Sequence, residues 1–198
     1  MKIEMRQIAK GPCSAEFILA SSGQNIGKIE FNCNGSSKDG VIKILLEQKD
    51  GLQKEVCIKH NDDYTTRNKR IYEIKDETAE NNISTLYIGS CKLETFRKYK
   101  SVQFYYQCNS FTLHPLNIET ENSTIFKNGN PIATIHQTDI RYEDLRDYNI
   151  NVSEEQDVLV CVILSSYLYV ISNFKSNKEK IYEKIYDFFC RVFRKGEK

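Results

Sequence analysis

Val158-Leu-Val-Cys-Val-Ile-Leu-Ser-Ser-Tyr-Leu-Tyr-Val-Ile171 is an apolar run that contains no charged residue and no polar stripe. It follows the acidic segment Glu154-Glu-Gln-Asp157. A helix that is apolar on every side must be buried, either in a membrane or in the core of a protein. The choice between these two environments determines the fold class.

The length of the run favours a protein core. From Asp157 to Ile171 a helix rises by roughly 22 Å, whereas a bilayer core is about 30 Å thick and needs about 20 apolar residues. Ser165 and Ser166 interrupt the run, and Lys175 follows shortly after its end. We therefore predict a short core helix. A fully buried strand is the alternative, because many of these residues are β-branched and periodicity alone does not separate the two.

The start of the helix carries a capping signal. Ser153 is followed three residues later by Gln156, which is the spacing of a capping box, and acidic residues between and after them favour the positive end of a helix dipole. We predict a helix over about residues 154–171, with Ser153 as its N-cap. An acidic loop before a strand is the alternative.

Length, composition and net charge limit the number of domains and the class of protein. The chain has 198 residues, of which 40% are hydrophobic and 28% charged, and its net charge is +1. These values predict one domain, or a domain with an appendage, and disfavour a nucleic-acid-binding surface over the whole protein. The first residues lack the apolar region of a signal peptide, which predicts a cytoplasmic protein.

The cysteines predict neither a metal site nor a disulfide framework. There are seven, an odd number, and no two form a C-x-x-C pair. Reduced, partly buried thiols are expected in a cytosolic protein. The seven are Cys13, Cys33, Cys57, Cys91, Cys108, Cys161 and Cys190.

The chain before the apolar run reads as short strands separated by turns. Residues 16–20 and 27–33 predict one hairpin, and residues 41–48 and 52–60 predict a second. Further strands are expected over residues 70–75, 86–93, 101–107 and 111–116. The clearest signal is Asn128-Gly129 between two apolar strands, which predicts a type I′ hairpin with Pro131 at an edge or strand start. This pattern favours a barrel or sandwich.

Several segments near the C-terminal end resemble one protein family. They are Phe111-Thr-Leu-His-Pro-Leu, Ile125-Phe-Lys-Asn-Gly-Asn-Pro-Ile-Ala-Thr-Ile, Tyr142-Glu-Asp-Leu-Arg-Asp-Tyr-Asn-Ile and the apolar run. Together they resemble the tubby C-terminal-like superfamily, which includes tubby domains, LURP-one-related proteins, phospholipid scramblases and small bacterial members. The resemblance covers roughly residues 111–174, and the bacterial members are the most similar.

The resemblance implies a closed antiparallel β-barrel around one central buried hydrophobic helix. In that α+β, mainly β arrangement, residues 1–174 form the barrel and the run at about 154–171 forms its central helix. Residues 175–198 form a C-terminal amphipathic tail outside it. No segment matches a scramblase calcium-binding motif, and no tubby phosphoinositide-binding residues can be transferred.

No catalytic motif is present in the sequence. It contains no G-x-S-x-G, P-loop, G-x-G-x-x-G or H-E-x-x-H segment. His60, His114 and His136 lie at the ends of separate predicted strands, and Cys161 is expected to be inert inside the core helix. Asp62-Asp63, just past a predicted strand, could contact a cation, but surface acids explain the pair as well. We predict no enzyme activity, no metal and no cofactor.

Two groups of basic residues are candidates for binding an anion, because Arg and Lys form charge-assisted hydrogen bonds with phosphate oxygens. An ordinary solvated face is the alternative. The first group is Arg67, Lys69 and Arg70, and the second is Lys92, Arg97, Lys98 and Lys100.

The tail, residues 175–198, is the segment that most strongly predicts binding to a partner. Ile181, Ile185, Phe188 and Val192 recur at helical spacing, and the segment 175–198 holds eight Lys or Arg against four Asp or Glu. Such a helix can lie on an anionic membrane, dock on its own barrel or bind another protein. The residues expected to make that contact are Tyr182, Lys184, Phe189, Arg191, Phe193, Arg194 and Lys195.

Two functional hypotheses follow. The first is a non-enzymatic tubby-like binding module that acts on an anionic ligand or peripherally at the inner face of the membrane. The second is a structural or regulatory module for protein–protein interaction that uses the tail. Neither hypothesis requires a specific nucleic acid, and the sequence leaves the oligomeric state open.

Overall fold

The computed structural model describes residues 1–33, 40–47, 51, 53–66, 69–76, 83–92, 98–117, 122–140 and 145–173. For some residues within the strands it describes only the backbone. The strands are β1 Lys2–Lys10, β2 Ser14–Ser21, β3 Gln24–Asn32, β4 Val41–Glu47, β5 Gln53–Thr66, β6 Lys69–Asp76, β7 Ile83–Lys92, β8 Lys98–Tyr106, β9 Asn109–Asn117, β10 Asn122–Lys127, β11 Asn130–Ile140 and β12 Arg146–Val152. A 3₁₀ turn, Glu155–Asp157, leads into the helix α1, Val158–Asn173.

All strand pairs in the described residues are antiparallel. Each strand pairs with its neighbours in sequence, and β1 is hydrogen-bonded on one side to β2 and on the other to β12. Short turns explain this order, because antiparallel neighbours can be joined by a few residues. The structure confirms the prediction of a mainly antiparallel β-protein with an apolar helix near its C-terminal end.

The core lies on one face of the sheet, where side chains alternate between buried and exposed positions. In β2 the buried positions are Ala15, Phe17 and Leu19. The same period of two continues in the neighbouring strands, as expected when successive side chains point to opposite faces. The alternation therefore identifies the core face of each described strand.

The helix α1 packs on this buried face. Tyr169 makes an edge-to-face contact with Phe17 of β2 at 4.7 Å between ring centroids, and Tyr167 does so with Tyr72 of β6 at 5.0 Å. Residues 160–170 of the helix are all buried. The run therefore forms the predicted core helix and not a strand. Across the part of the chain described, no helix is long and apolar enough to cross a membrane.

The predicted capping box is wrong. The residue that precedes the 3₁₀ turn is Glu154, and no side chain caps that turn. The backbone N–H of Ser153 instead donates to the Ile132 carbonyl of β11 at 2.8 Å, directly after the end of β12. Gln156 Nε2 donates to the Glu154 carboxylate, and the Ser153 N–H, which the Gln156 side chain would accept in a capping box, is taken by Ile132. Sheet pairing therefore delays the helix by several residues.

The Asn128-Gly129 turn forms as predicted between β10 and β11. Both residues have positive φ, 50° and 86°, which a type I′ turn requires. Pro131 is the second residue of β11 and faces Phe126 where the register shifts, so the missing N–H is accommodated at a strand start. This hairpin lies beside the start of α1 and positions Lys127 there.

Most strand bounds differ from the predicted ones by a few residues, and two larger differences matter for the interpretation. The first strand, β1, was absent from the predicted set, although Ile3 and Met5 alternate with exposed residues along it. The second difference is in β5, which extends to Thr66 and so includes the backbone of Asp62 and Asp63. The two acids therefore do not lie past the end of the strand.

Candidate functional site

One end of the sheet brings several basic residues and a buried amide close together in the described strands. Antiparallel pairing brings the first residues of β6, β8 and β12 to the same end as the last residues of β1 and β7. The helix begins near Lys127 at the opposite end and reaches this end at Tyr169, which contacts Gln7. We call it the basic end and define it by Arg70, Lys92, Lys98 and Lys100.

The register opposes like charges at the basic end. Lys92 of β7 is paired with Lys98 of β8, and Lys100 is paired with Ser90. Arg70 enters the same region because it is paired with Ile88, two residues from Ser90. Like charges directly opposite each other destabilise a sheet. The described backbone therefore places Arg70, Lys92, Lys98 and Lys100 at neighbouring register positions.

These basic residues stand at backbone positions an even number of residues from core positions. Lys98 and Lys100 precede the buried Val102 by four and two residues, and Arg70 precedes the buried Tyr72 by two. Residues separated by an even number along a strand occupy the same face. Lys69, one residue from Arg70, stands at an odd spacing from Tyr72. The strand pairing thus separates two residues that the sequence grouped together.

A buried amide organises the neighbouring part of the same end. Gln7 of β1 is 1% exposed. Its Nε2 donates to the Tyr169 hydroxyl at 2.8 Å and to the Ala9 carbonyl at 3.2 Å, and its Oε1 accepts from the Arg146 backbone N–H at 2.9 Å. The Gln7 backbone N–H donates to Asp147 Oδ1 at 3.0 Å. This network ties α1 to β1 and β12.

Burial also changes the chemistry of the Tyr169 hydroxyl. Desolvation raises the pKa of Tyr169 to about 12, against a smaller lowering by the Gln7 hydrogen bond. Ser123 Oγ and Arg146 Nε are buried near the starts of β10 and β12, and neither has a hydrogen-bond partner among the described residues. The core face at this end therefore contains several buried polar atoms.

The opposite end of the sheet is held by a buried ion pair. Lys127 Nζ donates to Asp157 Oδ1 at 2.7 Å, and the Asp157 side chain is 4% exposed. Lys127 Nζ also lies 5.8 Å from the centre of the Phe111 ring. Burial, assisted by the Asp157 charge, raises the pKa of the Cys161 thiol one turn later to about 12. A thiol in this state is a poor nucleophile.

The predicted anion-binding residues fall partly within the described chain. Lys69 and Arg70 lie in β6, Lys92 in β7, and Lys98 and Lys100 in β8. Arg67 and Arg97 lie outside the described residues. The predicted tail contacts, Tyr182, Lys184, Phe189, Arg191, Phe193, Arg194 and Lys195, lie outside them as well. Their role as binding residues stays a prediction.

Sequence reasoning missed the Gln7 network. Ile3, Met5 and Gln7 follow the alternation of a strand, and this pattern could have identified β1. A polar residue at the third core-face position breaks the apolar pattern by which strands are recognised. The contact with Tyr169 joins residues 162 positions apart, which no local pattern indicates.

Two of the histidines have described side chains. The His114 ring packs on Phe126 with 4.8 Å between ring centroids, and His136 Nδ1 lies 3.1 Å from Asn122 Oδ1. Among the side chains described, no three His, Cys, Asp or Glu residues come together as metal ligands.

No protein-family model, curated protein or solved structure matches this chain. The tubby-like resemblance therefore stays a prediction.

Proposed function

We propose that this protein is a non-enzymatic binding module that takes an anionic ligand at the basic end. The observation that carries the proposal is the register that opposes Lys92 and Lys98 and adds Lys100 and Arg70 beside them. A bound anion would replace the repulsion between these cations with charge-assisted hydrogen bonds. Phosphate and carboxylate oxygens are the chemistry that such a set recognises.

We propose with it a tubby-like architecture, a closed antiparallel barrel around a central helix. Support comes from the strand order, in which β1 pairs with both β2 and β12, and from the burial of α1. In that arrangement the basic end is one mouth of the barrel. The basic residues then surround the C-terminal end of a helix dipole, whose partial charge is negative.

Binding of inorganic tripolyphosphate tests the anion site. We expect the variant Lys92→Gln/Lys98→Gln to bind at least about a hundredfold more weakly than the native protein, because each of the two lost charge-assisted hydrogen bonds costs about 1.5–3 kcal/mol. Lys75→Gln is the matched control, because Lys75 is an exposed cation at the other end of β6. Isothermal titration calorimetry at low salt measures the affinities. Equal losses in the two variants would rule out a site at the basic end.

We propose membrane association through the tail as a second property of the same module. The support is the set of aromatic residues Tyr182, Phe189 and Phe193 and the excess of cations in residues 175–198. Flotation with vesicles of phosphatidylserine and phosphatidylcholine tests it. We expect Phe189→Glu/Phe193→Glu to abolish flotation, and Tyr105→Glu, at an aromatic 53% exposed on β8, to leave it unchanged. Absence of flotation by the native protein would reject membrane binding.

The alternative function is a protein–protein interaction module that uses the tail as a docking helix. Its support is the same amphipathic pattern, which provides a face able to bury against a second protein. Light scattering after size exclusion distinguishes self-association from a monomer. A monomer that neither floats with vesicles nor binds tripolyphosphate would contradict both the membrane and the anion proposals.

A further inference from the structure

Two half-buried cysteines stand opposite each other where β2 begins and β3 ends. The last ladder pair before them is Ser14 and Asn32, so Cys13 and Cys33 occupy the next opposed positions. The Cys33 backbone N–H donates to the Cys13 carbonyl at 2.8 Å, which shows that the strands are still adjacent there. Hydrogen-bonded antiparallel pairs have a Cα separation of about 5.5 Å. Disulfides span about 4.4–6.8 Å between Cα atoms.

The two cysteines also share one face of the sheet. Cys13 precedes the buried Ala15 by two residues, and Cys33 follows the buried Phe31 by two. Opposed residues on one face of an antiparallel pair have Cβ atoms about 4.5–5.5 Å apart. Cys33 packs against the core, and both residues remain thiols in the structure. A disulfide needs Cβ atoms about 3.5–4.5 Å apart, so the ends of the two strands must approach each other by roughly 1 Å for the sulfurs to bond.

We propose that Cys13 and Cys33 form a reversible disulfide that fastens the ends of β2 and β3. A small-molecule disulfide is the oxidant. The thiolate of one cysteine attacks it, forming a mixed disulfide and releasing one small thiol. The thiolate of the other cysteine then attacks the mixed disulfide and releases the second small thiol. Two protein thiols have then lost two protons and two electrons, which the oxidant receives.

The position of the pair makes the disulfide reversible. It lies beyond the last ladder pair, at the end of the sheet, where a reductant reaches it without unfolding of the core. Cys161 differs because it is fully buried in α1, and Cys108 differs because it is exposed in the β8–β9 turn. These two residues provide internal references for an inaccessible thiol and an accessible unpaired one.

Oxidation of the full chain by glutathione disulfide tests the proposal. We expect the native protein to lose two hydrogens, and peptide mapping without reduction to recover residue 13 linked to residue 33. Cys13→Ser and Cys33→Ser should each accumulate a glutathione adduct on the remaining partner. Cys108→Ser, the matched control, should form the link as the native protein does. Dithiothreitol should restore both thiols.

The stability of the oxidised protein gives a second measurement. A disulfide that closes this segment restricts the unfolded chain, so the thermal unfolding midpoint should rise by about 5–10 °C in the native protein and in Cys108→Ser. Cys13→Ala should show no such rise. Recovery of glutathione adducts on both Cys13 and Cys33 of the native protein, without a link between them, would overturn the proposal. So would a link from either residue to a different cysteine.

Discussion

Gln7 illustrates how one side chain can determine the position of a helix. Its amide has a donor that reaches Tyr169 of α1 and an acceptor that reaches the backbone of Arg146 in β12. A buried amide is retained at low cost only when its polar atoms are paired, because an unpaired group loses its hydration without compensation. The same amide therefore specifies both the rotation of α1 and its depth along the sheet.

Replacement of Gln7 tests this role. We expect Gln7→Leu to lower the free energy of unfolding by about 2–4 kcal/mol, because the Arg146 N–H and the Tyr169 hydroxyl each lose a buried partner. Tyr169→Phe is the matched variant. It removes only the hydroxyl, and Gln7 Nε2 keeps the Ala9 carbonyl, so a loss of about 1 kcal/mol is expected. Urea unfolding measures both values. A larger loss in Tyr169→Phe than in Gln7→Leu would contradict the assignment.

At the scale of elements, the β10–β11 hairpin and the start of α1 form one unit. The type I′ turn at Asn128-Gly129 sets the register of the hairpin, and this register brings Lys127 to Asp157 at the start of the helix. Local patterns could predict the turn and the helix separately. They could not predict the ion pair between them, because it depends on how the helix packs on the sheet.

The ion pair gives a prediction for this unit. Lys127→Met should cost about 3–5 kcal/mol, because it leaves the buried Asp157 carboxylate without its cation. The double variant Lys127→Met/Asp157→Leu should recover most of that loss, since no buried charge then remains. Lys28→Met provides a reference, because Lys28 pairs with Glu30 on the exposed face and its loss should leave the urea midpoint nearly unchanged. No recovery in the double variant would show that the pair acts by packing alone.

The whole molecule shows which part of a fold the sequence can predict. Hairpins β2–β3, β4–β5 and β10–β11 follow from alternation and turn residues, and the core helix follows from its all-apolar composition. The capping box failed because the N–H of Ser153, directly after β12, donates to the Ile132 carbonyl of β11. The basic end could be predicted as a set of residues but not as an arrangement, because the opposition of Lys92 and Lys98 depends on strand register.

The protein as a whole should lose stability in alkali through two buried groups. Burial raises the pKa of Tyr169 from 10.0 to about 12 and that of Cys161 from 9.0 to about 12. The folded protein therefore keeps protons that the unfolded chain releases, so this stabilisation is complete below pH 9 and is lost as the pH rises towards 12.

Urea unfolding at pH values of about 8 and 11 measures this loss. We expect the midpoint of Tyr169→Phe/Cys161→Ala to fall less over this interval than that of the native protein, because neither buried proton remains. Cys108→Ala, at an exposed position, should behave like the native protein. An equal fall in all three proteins would show that other groups govern the alkaline transition.

The pairing of β1 with β12 has a consequence for synthesis on the ribosome. Gln7 and its partner Asp147 are separated by 140 positions, which at translation rates of about 5–20 residues per second is a delay on the order of ten seconds. Throughout that delay β1 has a neighbour only in β2, and its other side presents unpaired amides able to capture a strand of another nascent chain. We expect a chaperone that binds extended segments of the nascent chain during synthesis to increase the yield of native protein. A chaperone that acts only after the chain has left the ribosome should increase this yield less.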